Sequence, residues 1–184
     1  MRRAALMLVL GLAVACSDPN ELPNATQANA VDTVTLWALS TAAVRNPGAY
    51  SLVDRAAVRT YETVAFEFAF DLSPAGEPRL LPLAVLGLSP GNELKPGLLR
   101  SALGFDQMLR APLNGYVTED TVAVQPGDRF FLRSRPICTT LGGVPQYGKL
   151  EVLAVDPVAE TLQFRVVANN NCGYRSLALG IPKN

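Results

Sequence analysis

The stretch TVAFEFAFDL, residues 63–72, decides the fold class. Val64, Phe66, Phe68 and Phe70 stand at every second position, with Glu67 and Asp71 on the alternate ones. Successive side chains of an extended chain point to opposite faces, so this period of two predicts a half-buried strand with its aromatic face inward. Pro74 and Gly76 then mark a turn over 71–77. Residues 79–88 read as a second extended run, with Pro82 requiring an edge or a bulge. Upstream, 31–39 and 50–53 are strands of the same kind. Downstream, 121–124 and 129–133 flank Gln125-Pro126-Gly127-Asp128, a hairpin turn. A second hairpin joins 149–155 to 161–167 through DPVAE, and 174–179 closes the sheet. In 96–111, Leu98, Leu99, Ala102, Leu103 and Leu109 could line a helix starting near Pro96, but Gly104 opposes a long one. An irregular path with a short strand at 105–109 is expected there. About eight or nine strands and no clear amphipathic helix predict an all-β domain, an antiparallel sandwich or open barrel.

Composition narrows the chemistry. Histidine is absent. That removes Ser-His-Asp and Cys-His catalysis and every histidine metal site. There is no Cys-x-x-Cys and no phosphate-binding Gly-x-x-x-x-Gly-Lys-Ser/Thr, and the carboxylates are scattered singly. An enzyme is not expected, no metal site is assigned, and with no basic stripe neither is a nucleic-acid partner.

The N-terminus has its own layout. Arg2 and Arg3 precede an apolar run over 4–14, which ends in Leu12-Ala13-Val14-Ala15-Cys16. The run is shorter than the roughly 20 residues needed to span a bilayer and suits the hydrophobic part of a secretory signal. Small residues leading into a cysteine resemble the lipobox of bacterial lipoproteins. The resemblance implies cleavage after Ala15, acylation of Cys16 and a membrane partner reached through lipid. Two or more acyl chains, at about 0.8 kcal/mol per buried CH₂, anchor stably. Ser17 rather than aspartate after the cysteine points to the outer membrane of the cell envelope. The expected organisation is a signal peptide over 1–15, a lipidated cysteine and flexible polar tether over 16–30, and a single all-β domain over 31–184. Without the signal's two arginines, 14 basic residues face 16 acidic ones, a net charge near −2.

Of three cysteines, a lipidated Cys16 leaves Cys138 and Cys172 as an even pair in an oxidising compartment. A structural disulfide is expected; the alternative, a redox pair, needs an exposed, electropositive thiol. On the strand before Cys138, Arg133 and Arg135 are two apart. If they share a face they could clamp a carboxylate or propionate; otherwise they are a solvated charge pair. Asn169, Asn170 and Asn171 read as turn formers, with calcium the other use of their oxygens.

The order YSLVD, VAFEFAFDL, FDQMLRAPLNGYVTED, GDRFFLRSR, YGKLEVLAVD and TLQFRVVAN, behind a lipoprotein signal, is similar to the HmuY-type haem-binding lipoproteins. The likeness covers most of 50–169. It implies an all-β fold that captures haem between two histidine or methionine ligands. This chain departs at that point: it has no histidine, and the signal removes Met1 and Met7, leaving Met108 as the mature chain's single methionine. Met108 could supply one axial ligand or simply fill a gap in the core. Tyr116, Tyr147 and Tyr174 are further candidates, since tyrosine also ligates haem iron, and each is equally an ordinary half-buried residue. The expectation is a lipid-anchored, non-enzymatic binding protein for haem or another small apolar ligand. Its alternative is a protein-interaction module of the envelope that has lost the haem site.

Overall fold

The computed structural model describes residues 22–88, 94–138 and 143–183. Cys16 and the signal segment lie outside them. Among these described residues ten strands form two antiparallel five-stranded sheets packed as a sandwich rather than a closed barrel. The first sheet has β1 (Val31–Trp37), β10 (Thr161–Asn169), β9 (Val144–Asp156), β8 (Arg129–Cys138) and β6 (Gly97–Arg100), in that order. The second runs β3 (Ala56–Val58), β2 (Ala49–Ser51), β4 (Phe68–Leu72), β5 (Pro78–Pro82) and β7 (Val122–Ala123).

Alternation builds the space between the sheets. Phe130 and Leu132, Leu150 and Val152, and Leu162, Phe164 and Val166 point inward from the first sheet. Tyr50, Phe68, Phe70 and Leu80 meet them from the second. Tyr50, Phe68 and Phe164 form an aromatic triangle with ring centroids 5.5–5.9 Å apart. Burying each such side chain contributes roughly 1.5–3 kcal/mol. Gly148 on β9 is part of the fit: a Cβ there would lie 2.6 Å from Leu52 Cδ1 and 2.8 Å from the Val167 carbonyl.

The deciding stretch is a strand only from Phe68. Its alternation breaks before that residue. Phe68 and Phe70 enter the central core, whereas Phe66 packs on the outer side of the second sheet with Ala49, Ala69 and Leu83. Val64 is exposed. Glu67 and Asp71, expected to face solvent, are both buried. Glu67 sits where the chain enters the sheet irregularly, its amide bonded to the Tyr50 carbonyl and its carbonyl to the Leu83 amide.

Other boundaries moved as well. After Pro82 the chain forms a 3-10 turn, Leu83–Leu86, because proline cannot donate to a continuing ladder. The strand expected at 105–109 is a 3-10 turn, Phe105–Gln107, while the pairing strand of that region is β6. Residues 174–179 make a single bridge, Ser176 with Arg110, rather than a closing strand.

Cys138 and Cys172 are disulfide-bonded, with Cα atoms 5.7 Å apart. The bond crosses β9, joining the end of β8 to the loop after β10. That loop also holds the described part of the expected tether. The Asn171 side chain accepts hydrogen bonds from the Thr26 and Gln27 amides and donates to the Gln27 carbonyl. Asn29 is buried: its backbone pairs with Gly180 and its amide donates to the Ser176 and Ala178 carbonyls. Leu22 packs on Gly173, whose φ of +80° and missing Cβ leave that space open.

Candidate functional site

Most of the candidate ligand residues meet on the outer face of the first sheet. Phe131 and Tyr147 project outward from β8 and β9, and two irregular segments close over them. These segments pair with each other: the Ala111 amide donates to the Arg175 carbonyl, and the Leu177 amide to the Leu109 carbonyl. Met108, Ala111 and Leu177 are thereby pressed onto Phe131 and Tyr147, with Leu99 and Tyr116 at the margin. Met108 is 0 % exposed.

Arg133 lies against the same cluster, 4.6 Å from the Tyr116 ring centroid. Its guanidinium donates to the Leu113 and Lys95 carbonyls, 3.3 and 3.1 Å away. The Tyr116 hydroxyl donates to the Pro112 carbonyl at 2.9 Å. Burial pushes the Tyr116 phenol well above its ordinary value, and neighbouring Tyr147 adds to this against Arg133 and Arg175. Burial raises Tyr147 too. An iron-ligating tyrosine acts as its phenolate, which this environment disfavours. The clefts lined by the residues around Trp37, Asp71, Arg100, Arg59 and Asn171 do not include Met108, Tyr116, Arg133 or Tyr147.

Met108, Tyr116, Tyr147 and Arg133 are thus brought together, and Arg135 and Tyr174 are placed elsewhere. The ladder between β8 and β9 shifts register after Arg133, so simple alternation does not carry through to Arg135. The Arg135 charge acts instead on Glu67, opposing the effect of burial on that carboxyl. Tyr174 is buried in the loop after the disulfide, where its carbonyl accepts from Asn169. Asn169 and Asn171 bond to each other and to backbone, so their polar atoms serve the turn.

Three buried ionisable groups were not foreseen. Glu67 accepts from the Leu52 amide, and burial pushes its carboxyl up to about 8. Burial alone would raise Asp71, but hydrogen bonds from the Ser40 hydroxyl and amide and from Arg79 outweigh it and hold the group low. Lys149 donates to the Phe105 carbonyl at 2.9 Å, with its ammonium 4.6 Å from the Phe105 ring centroid. Arg165 stacks on the same ring at 4.2 Å. Lys149 shares the outward face of β9 with Glu151, so alternation gave no signal that it would be buried. The alternation rule itself concealed Glu67.

A cleft of about 450 Å³ lies open at one end of the sandwich between Ser40, Asp71, Ser73 and Arg79. A smaller one of about 120 Å³ lies at the same end beside Trp37, Ala43, Val44 and Tyr61. Among the described residues no group of three acidic, cysteine or histidine side chains is placed to hold a metal, and no helix is long and apolar enough to cross a membrane. Comparison with protein-family models, with curated proteins and with solved structures finds no match.

Proposed function

We propose that this chain is a lipid-anchored, non-enzymatic binding module of the bacterial cell envelope whose ligand is a neighbouring envelope protein rather than haem. One observation carries the choice between the two. The residues a haem site would draw on, Met108, Tyr116, Tyr147 and Arg133, are engaged with one another in a packed cluster that closes over the sheet. Exposed apolar side chains stand on several surfaces, and those near the Trp37 cleft include the most exposed of them: Val44 is 77 % and Val158 92 % exposed. Such residues suit a protein contact better than an enclosed ligand.

The test has two arms. Titration of the purified exported protein with haemin, followed at the Soret band, is expected to give no saturable shift with oxidised or reduced iron. A saturable shift that weakens in Met108→Ala would overturn the reading in favour of haem capture. In cells, a photo-crosslinking residue at Val44 or Val158 is expected to trap one discrete partner. Failure to trap any protein at either position would count against the interaction module.

A further inference from the structure

We infer that the end of the sandwich carrying the disulfide faces the membrane and that the opposite end, with the Trp37 and Asp71 clefts, faces away from it. This rests on the proposal that Cys16 is acylated. It adds the geometry of the described N-terminal residues, which are seated on the domain at one end. Leu22 covers Gly173, Thr26 and Gln27 are held by Asn171, and Asn29 is bonded to Gly180, Ser176 and Ala178. The point where the chain leaves this seat is therefore set by the loop that Cys172 ties to Cys138.

Chain length then limits the distance to the lipid. Six residue steps separate Cys16 from Leu22, an extended reach of about 20 Å. A free tether running to residue 30 would reach roughly 45 Å or more and would leave the domain free to tumble. The two ends of the sandwich are well separated. Trp37 pairs with Thr161 at the start of β10, whereas Asn169 ends it, and nine residues of strand span roughly 27 Å. The seated end also carries the 51–55 turn, where the Val53 carbonyl accepts from Asn170. The shortened reach brings this end to the headgroups and keeps the Trp37 end clear of them.

The single tryptophan supplies the probe. The full acylated protein is placed on phosphatidylcholine vesicles containing dansyl-headgroup lipid, and energy transfer from Trp37 is compared with that from Val53→Trp in a Trp37→Phe background. Transfer from position 53 is expected to be several-fold stronger. Inserting a flexible Gly-Ser segment of about 20 residues between residues 21 and 22 is expected to remove the difference. Hydrogen exchange on the unaltered protein reads the same contrast, with vesicles slowing the 51–55 and 170–173 backbone and leaving 40–46 and 73–77 unchanged. An acylated, vesicle-bound chain with equal transfer from both positions, or equal protection at both ends, overturns the orientation alone. A chain that lacks acyl mass on its N-terminal cysteine and does not float with vesicles overturns the anchoring proposal and the orientation together.

Discussion

The space between the two sheets and the Met108 cluster on the outer face of the first sheet are both apolar, both buried and built in different ways. Between the sheets, alternate residues of neighbouring strands meet in register, and three aromatic rings lock the centre. On the outer face the strands supply only Phe131 and Tyr147 to the Met108 cluster, and its cover comes from segments that are not strands. The first is the ordinary interior of a β-sandwich. The second is a satellite core, where a binding site could have been but where side chains fill the space. Two cations lie beside it on the same face: Lys149 and Arg165 each sit over the Phe105 ring.

Mutations should separate the two regions. The largest effect is expected at the aromatic triangle. Phe164→Ala should lower unfolding free energy by about 3–5 kcal/mol, read from urea denaturation. A loss under about 1 kcal/mol would mean the inner core is not the main source of stability. Next comes the disulfide that ties the loop beside the outer cover. Cys138→Ser with Cys172→Ser should cost roughly 3–4 kcal/mol by loop closure, with hydrogen exchange rising first in 22–30 and 170–178.

Glu67 lies at the boundary of the inner core, and its effect is tied to pH. Its folded value near 8 lies above the ordinary 4.5. The folded state therefore holds a proton that the unfolded chain releases, and this contribution is complete below about pH 4.5 and lost as pH rises towards 8. Glu67→Gln should flatten that decline and stabilise the protein at pH 8.5 by on the order of 2 kcal/mol. The same substitution should have little effect at pH 4. Asp71 has the opposite sign: its lowered value gives stability present above the ordinary carboxylate range and lost on acidification. Asp71→Asn should make the fold less sensitive between pH 5 and pH 3.

The smallest effect is expected in the satellite core. Met108→Leu conserves volume and should cost less than about 1.5 kcal/mol, measured by thermal or urea unfolding. If Met108 acts only as filler, this substitution should leave every binding property of the protein unchanged.

Much of the inner core was legible in the sequence because alternation is a local property. The hairpin around 156–160, and the residues of β9 and β10, follow from turn chemistry and a period of two. The turn at 125–128 forms too, but it carries the chain from β7 in the second sheet to β8 in the first instead of joining the expected hairpin, because β7 pairs with β5 and β8 with β6 and β9. The same rule failed at residues 64–67, where the chain enters β4 without regular pairing and turns Phe66 and Glu67 to unforeseen places. Strand β6 was missed because Gly97 to Arg100 carries no alternation of its own; its partner β8 makes it a strand. Of the candidate site, Met108, Tyr116, Tyr147 and Arg133 were named one by one from residue chemistry. Their convergence was not visible, since they come from three separate parts of the chain.

By itself the sequence determined the β class and the absence of histidine chemistry, because composition and periodicity need no knowledge of neighbours; the pairing of Cys138 with Cys172 was an expectation that the structure bears out. Tertiary structure alone decided the choice of sandwich over barrel, the closure of the Met108 cluster and the seating of residues 22–30 on the loop after β10. Each depends on which distant segments come to share a surface, and that is set by the packing of the whole chain.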